Sequence, residues 1–453
     1  MHKHNRSMLE GPLLSGIISY TVPIILTSIL QLLFNAADLV VVGQFRGSDA
    51  VAAVGATGAL TALIVNLFIG ISVGTGVTVA HGLGGKQDKS VHNTVHTAIP
   101  MALVAGVFLT IVGISLSGSA LILMGTDPDV LPLSTVYMKI YFGGITFTML
   151  YNFCASILRA AGDTKSPLIF LAISGVVNVG LNVVFVTVLG MSVEGVALAT
   201  VISQAISAAL VIIALIRRKD ACHLDLKKIR FHGRELKKIL RIGLPAGIQS
   251  TIFSISNVII QSSVNSFEKV AMAGNAAAAN IDGFLYVAMN AFSQTSVNYI
   301  GQNSGAHQYD RVKKILKTCL LSVSVVGIVC SLLVFTFRSQ LLSIYLGNDT
   351  AAIEYGSIRL AWLALPYFLC GLMDVSTGAL RGLGSSVSPM IISILGVCGI
   401  RIVWIYTIFK SYHTLQSLYL SYSISWFITF ILEIVAFIII YKKAVHKFNM
   451  LHN

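Results

Sequence analysis

"LRAAGDTKSPL", residues 158–168, and "LRGLGSSVSPM", residues 380–390, are one segment written twice. Leu158, Arg159, Gly162, Ser166 and Pro167 recur as Leu380, Arg381, Gly384, Ser388 and Pro389, all at a separation of 222 residues. The same separation carries Pro23 of "YTVPI" to Pro245 of "IGLPA". A separation of 221 carries Gly84, Gln87 and Val91 to Gly305, Gln308 and Val312. Self-similarity at about half the chain length marks a duplicated unit.

The nature of that unit follows from composition. Of 453 residues, 55% are hydrophobic and 11% charged, against roughly 25% charged in a soluble domain. Mean hydropathy is +0.82. Apolar blocks of about 20 residues without strand-like alternation read as membrane-spanning helices, because helices satisfy their own backbone in lipid. Twelve spans are expected, near 13–43, 50–78, 93–116, 133–158, 167–190, 193–216, 238–264, 270–300, 314–337, 354–380, 388–409 and 415–441. The first span is too long, and lacks the cleavage site, to be a signal peptide. The expected domains are 1–216, a basic linker at 217–237, and 238–453. Six spans is an even number, so both halves enter from the same side, related by a pseudo-two-fold axis along the membrane normal. The expected fold is an all-α, polytopic membrane protein of two six-helix bundles.

The net charge of +13 does not point to nucleic acid. Placing the termini and even-numbered loops on one side collects 24 of the 31 Lys and Arg there, six on the other, with Arg401 inside a span. That bias puts both termini in the cytoplasm of a multi-pass cell-membrane protein. The run "RRKDACHLDLKKIRFHGRELKKILR", 217–241, reads as a linker along anionic headgroups. Six scattered cysteines have neither disulfide nor metal spacing and read as small buried residues.

The duplication also serves as an internal comparison. A shift of 222 sends Asp38 to Ile260, Asn178 to Ile400, Asn182 to Trp404 and Thr200 to Tyr422. Only the first half therefore carries an acid, two amides and a hydroxyl at these positions. Asn178 and Asn182 lie four apart on one helix face, and Gln31 and Asp38 share a face of the first helix. Asn and Thr can act simply as interhelical glue, but glue does not need the ionisable group of Asp38, which is expensive within a membrane. Hard oxygen donors suit a proton or an alkali ion such as sodium, at Asp38, Asn178, Asn182 and Thr200. Pro23, earlier on the same helix, marks a kink that occupancy of Asp38 could work as a hinge.

Other intramembrane charges are Asp282, Asp374, Arg401 and Glu433. Arg401 is expected to be neutralised by an acid, Asp374 or Asp282 first, either as a structural ion pair or at a substrate contact. Lys139, Arg359 and Lys410 are expected to snorkel at span ends. "AHGLGGKQ" lacks the Gly and the Ser or Thr of a phosphate loop and reads as a turn. "GISVG", Gly70 to Gly74, has the spacing of close helix packing. His2 and His4 are weak evidence for metal. No nucleophile–base pair or zinc cluster supports an enzyme, and no cofactor is expected.

Pro23 followed by "FNAADLVVVGQF" (34–45), "LRAAGDTKSPL", "NVGLNVVFVTVLGMSVEGVALAT" (178–200), "YIGQNSGA" (299–306) and "LRGLGSSVSP" together resemble the multidrug and toxic compound extrusion (MATE) transporters along essentially the whole chain. The resemblance implies twelve helices in two bundles, exporting organic compounds against inward proton or sodium flow. It implies that Asp38 is the family's helix-1 aspartate, that Asn178 and Thr200 are its partners in the cation site, and that Gln31 and Asn152 line the N-terminal cavity. Asn182 departs from the DinF-like pattern, where Asp is frequent, so proton and sodium both stay open. Phe253 stands near where NorM-like members carry a helix-7 Glu, and Asp374 does not align with their helix-10 acid.

The expected function is export of amphipathic, cationic small molecules by alternating access, from a monomer in contact with membrane lipid. A lipid-linked precursor flippase on the same scaffold is the alternative; an intramembrane enzyme or a receptor ranks lower. Substrate-cavity candidates are Gln31, Phe34, Tyr151, Asn152, Asp282, Asp374 and Arg401, although Tyr151, like Met149, Phe153, Met289 and Phe292, also suits core packing.

Overall fold

The structure, a computed structural model, describes residues 8–452, so His2 and His4 lie outside it. Every regular element among the described residues is helical. The first half runs α1 (Leu13–Arg46), α2 (Ser48–Gly84), α3 (Asp88–Leu123), α4 (Leu131–Gly143), α5 (Ile145–Ala160), α6 (Lys165–Val183) and α7 (Val193–Ile216). The second runs α8 (Gly233–Val264), α9 (Lys269–Gly305), α10 (Tyr309–Thr336), α11 (Arg338–Leu346), α12 (Thr350–Leu363), α13 (Tyr367–Gly382), α14 (Val387–Ser393), α15 (Ile400–Trp404) and α16 (Leu415–His452). The duplication seen in the sequence governs where helices start: α5 and α13 begin at residues 145 and 367, α7 and α16 at 193 and 415, each 222 apart.

Nine described helices are long and apolar enough to cross a membrane, and eleven spans result when each bent pair counts as one. The remaining expected span, the eighth at 270–300, is α9, which is rich in Asn, Gln and Ser and buries many of them inside the protein. The expected fourth and tenth spans are each broken. Gly144 separates α4 from α5 with a 47° bend, and residues 364–366 separate α12 from α13 with a 49° bend. A Cβ at residue 144 would run into Val201, so the break needs glycine. Its repeat mate is Pro366, which has no N–H to donate and whose ring blocks the preceding turn. The fifth and eleventh spans loosen differently, into π-helical turns. These are Val184–Val188 after α6, and Ile394–Gly399 and Ile405–Phe409 on either side of α15. The short α11 has no counterpart among the expected spans.

The chain clusters into two compact units, one of residues 26–247 and one of residues 8–25 with 248–452. Helices α1 and α8 therefore each contribute to both units, and the changeover comes just past Pro23 and Pro245, both inside their helices.

In the first unit α5 is the central helix. Met149, Phe153, Cys154, Ile157 and Leu158 are at most 1% exposed and pack with Val95, Leu109 and Phe142. Lipid is as apolar as leucine, so helices in it associate through close packing rather than through exclusion of water. Gly70 and Gly74 of α2 supply that closeness. A Cβ on Gly70 would collide with the backbone at Gly247, and one on Gly74 with the backbone at Ile239 and Gly243.

The basic segment after α7 is folded onto this unit rather than only lying along headgroups. Cys222 and Leu224 enter its core. The Asp225 N–H donates to Nε2 of His96, 3.0 Å away, and the His232 N–H donates to Oγ1 of Thr97 at 3.1 Å.

In the second unit α9 and α13 form the centre, with Met289, Phe292, Val375 and Leu380 at most 1% exposed. Ile17, Tyr20 and Ile24 of α1 belong to this core, and Thr21 shares a 2.7 Å hydroxyl hydrogen bond with Thr295. The expected snorkelling of Arg359 is not what the fold does. Its Nε donates to Oδ2 of Asp282 at 2.8 Å and its Nη1 to Oδ1 of Asn275 at 2.8 Å. Asn275 also accepts from the Tyr419 hydroxyl at 2.9 Å, and the Arg359 side chain is left 12% exposed. The apolar stretch of α12 continues on both sides of Arg359, and the carboxylate of Asp282 on α9 lies within ion-pair distance of it. Lys139 and Lys410 are exposed, as expected.

Two outcomes follow. Gly70→Ala should lower the midpoint of thermal unfolding in detergent, by the equivalent of about 1–3 kcal/mol for overpacking. Gly58→Ala on the same helix, where a Cβ meets nothing within 4 Å, should be neutral or slightly stabilising. Asp282→Leu alone should be strongly destabilising, by about 3–5 kcal/mol, because it strands Arg359. Adding Arg359→Met should recover most of that loss in the same unfolding assay.

Candidate functional site

Asp38 lies in the last third of α1, 6% exposed, with no basic side chain paired to it among the described residues. Its partners are neutral. Nδ2 of Asn182 donates to Oδ1 of Asp38 and also, at 3.3 Å, to Oδ1 of Asn178. The Thr200 hydroxyl lies 3.3 Å from Oδ2 of Asp38 and 3.0 Å from the Val196 carbonyl, so its single proton is shared between two acceptors. Nδ2 of Asn178 reaches toward Oγ1 of Thr200 at 3.5 Å. The four residues named from the sequence therefore form one connected cluster, drawn from α1, α6 and α7.

Local structure explains how these helices meet. Gly175 on α6 faces the ring of Phe34 on α1, and a Cβ there would occupy the space of the ring. One turn further along, the close approach becomes the contact of Asp38 with the amides. At its end α1 is tied down by Arg46, whose Nη2 donates to the Val186 carbonyl at 2.7 Å. Val186 sits in the π-helical turn after α6. Such turns release carbonyls from the regular helical ladder and recur at functional sites. Tyr137 of α4 packs in the adjoining core cluster with Val42 and Val196. Gly175, Arg46 and Tyr137 were not singled out from the sequence. Gly175 offered a signal, as a small residue three positions before Asn178; Tyr137 offered none.

Chemically the cluster is short of donors. Oδ1 of Asn182 is fully buried and has no hydrogen-bond partner. A buried orphan acceptor beside a carboxylate, an amide carbonyl and a hydroxyl is an arrangement of hard oxygens into which a proton or an alkali cation fits. Among the described residues, no group of three or more His, Cys, Asp or Glu side chains could hold a metal ion.

The substrate-cavity candidates scatter. Gln31 is exposed on α1 and Phe34 packs on Gly175. Asn152 is half-buried and donates to its own helix at the Thr148 carbonyl, 2.8 Å away. Tyr151 is 3% exposed in the first core, its hydroxyl directed to the Pro167 carbonyl.

In the second unit Asp282 is taken by Arg359. Asp374 keeps one buried oxygen without a partner, while Arg381, seven residues on, donates to Gln249 at 2.7 Å. Glu433 accepts from the Thr377 and Ser393 hydroxyls at 2.6 and 2.8 Å. The expectation that Arg401 pairs with Asp374 or Asp282 is corrected: no carboxylate lies within salt-bridge distance of it among the described residues. Asp282 is closer to Arg359, and Arg401 turns instead toward α16, where its Nε donates to Oγ of Ser425 at 3.1 Å.

Comparisons with known proteins agree with this architecture. A family model described as MatE matches residues 23–184 and again 245–407, once in each half. The chain is 28% identical over 394 residues, 84% of each protein, to the "Probable multidrug resistance protein YoeA" of Bacillus subtilis. It is 23% identical to the "Multidrug export protein MepA" of Staphylococcus saprophyticus, over 87% of this chain and 88% of that one. Crystal structures of MATE in the bent and in the straight conformation each superpose with a TM-score of 0.89 at 20% identity, covering 98% of this chain and 99% of theirs. With the family model covering most of both halves, the protein belongs to the MATE family of multidrug efflux transporters and is embedded in a membrane by many helices.

Proposed function

We propose that this transporter exports amphipathic organic compounds in exchange for an inward-moving cation, a proton or sodium, held at Asp38, from a cell membrane with both termini on the cytoplasmic side. The observation that carries this reading is the buried carboxylate of Asp38 surrounded by neutral donors, with Oδ1 of Asn182 left orphaned beside it. A structural ion pair would bring its own counter-charge. Asp38 has none, so a mobile cation can supply it.

The exchange is readily described with the residues present. With the carboxylate charged, Asn182 presents its N–H groups to Asp38 and Asn178. When a proton occupies Asp38, the acid becomes a donor, and a rotation of the Asn182 amide offers it Oδ1. The same rotation would turn Oδ1 toward a bound sodium ion. Either way, loading Asp38 exchanges the contacts that fasten α1 to α6 and α7.

Pro23 lies fifteen residues earlier on α1, at the end of the part that packs in the second unit. It removes a backbone hydrogen bond from the helix interior and makes a bend there inexpensive. A bend at Pro23 is the expected way for a change at Asp38 to reach the rest of the molecule.

Purified protein in vesicles tests the reading, with a pH gradient and a sodium gradient imposed separately and export of a cationic dye followed. Wild type should accumulate dye uphill under at least one gradient. Asp38→Asn, which preserves side-chain size, should lose uphill export by at least about tenfold, the scale of a missing interaction of 1.4 kcal/mol or more. Folded Asp38→Asn protein that still drives uphill export would remove Asp38 from the coupling.

A further inference from the structure

Arg401 is the least expected charge in the second unit. It is 4% exposed, on the short α15 between two π-helical turns. Its guanidinium carbon lies 4.0 Å from the centre of the Tyr422 ring and 5.8 Å from that of Trp426. Apart from the bond from Nε to Ser425, its N–H groups donate to no protein acceptor among the described residues. No carboxylate lies within salt-bridge distance of it among the described residues, and its charge faces the rings of Tyr422 and Trp426. A guanidinium keeps its charge in any protein setting, so this charge cannot be relieved by losing a proton. Aromatic faces attract it but leave its N–H fork unfilled.

The duplication shows how deliberate the arrangement is. Across the separation of 222, Arg401, Tyr422 and Ser425 correspond to Val179, Thr200 and Ser203. The same helix pair that gathers oxygens around a carboxylate in the first unit gathers aromatic rings around a cation in the second. Opposite polarity on matched scaffolds calls for opposite ligands.

We propose that Arg401, with Ser425, Tyr422 and Trp426, binds an oxyanion, a carboxylate or a phosphate, carried on an aromatic or otherwise apolar body. The guanidinium fork receives the oxyanion, and the rings, with Tyr367 edge-on to Trp426 at 5.1 Å, receive the body. The proposal rests on the efflux reading in one respect: the ligand is taken as a transported compound, which makes zwitterions, cationic at one end and acidic at the other, the favoured substrates.

Rhodamine 110, which carries a free carboxylate, and its methyl ester rhodamine 123 provide matched probes. Their binding to purified protein in lipid-free detergent would be followed by fluorescence anisotropy. Wild type should favour the acid, and Arg401→Gln should lower the acid-to-ester affinity ratio at least tenfold. Arg401→Lys should restore part of the ratio. Ser425→Ala, which leaves the guanidinium in place, should lower it a few-fold and keeps the test open if Arg401→Gln fails to fold. Equal ratios in wild type and all variants would overturn the proposal.

Nanodiscs with and without phosphatidylglycerol distinguish the source of the oxyanion. Loss of acid binding only when that lipid is present assigns the site to lipid phosphate; unchanged binding assigns it to a soluble compound. Export of rhodamine 123 is measured alongside. Failure of wild type to export it counts against the efflux reading, whereas an unchanged acid-to-ester ratio counts against the Arg401 site alone.

Discussion

A charge placed inside a membrane protein must be answered, and the way each is answered organises this molecule. Arg359 and Asp282 answer each other and lock α9 to α12. Glu433 is answered by two hydroxyls, from α13 and α14. Asp38 is met only by neutral donors, and Arg401 only by rings and one hydroxyl. The Arg359–Asp282 pair is complete in charge and reads as structure, whereas Glu433 keeps a buried Oε2 without a partner. The arrangements at Asp38 and Arg401 are incomplete, one of each sign, and incompleteness is what a binding site requires.

The scaffold that holds these charges was largely legible. A repeat at 222 residues located both halves, and apolar blocks located the spans, because spacing and hydropathy are local properties of the chain. The cluster of Asp38, Asn178, Asn182 and Thr200 was legible for a related reason. The second half carries Ile260, Ile400, Trp404 and Tyr422 in the matching places, which separates chemistry from scaffold without any second sequence. What escaped was pairing. Arg359 looked like an end-of-span residue, yet Asp282 lies within reach only because α9 packs against α12. Arg401 looked like half of an ion pair for the same reason in reverse. Which acid meets which base depends on helix rotation and packing, and hydropathy carries neither.

The breaks in the helices show a finer limit. Pro366 announces an interruption in the second half, whereas its mate Gly144 does so only because Val201 occupies the space of a Cβ. The π-helical turns after Asn182 and on either side of Arg401 leave no sequence signature at all. Both halves thus carry a π-helical turn at nearly matching places, Val184–Val188 and Ile405–Phe409, on helices that bear the neutral Asn182 in one and Arg401 in the other.

The central claim is that a cation at Asp38 and the exported compound oppose one another. The most direct measurement is the affinity of purified protein for a cationic dye, titrated against sodium at fixed pH and against pH at fixed sodium. For wild type, affinity should fall at least about fivefold as one of the two cations rises, a modest coupling free energy between sites. For Asp38→Asn it should be flat in both titrations. An unchanged cation dependence in folded Asp38→Asn protein would contradict the account.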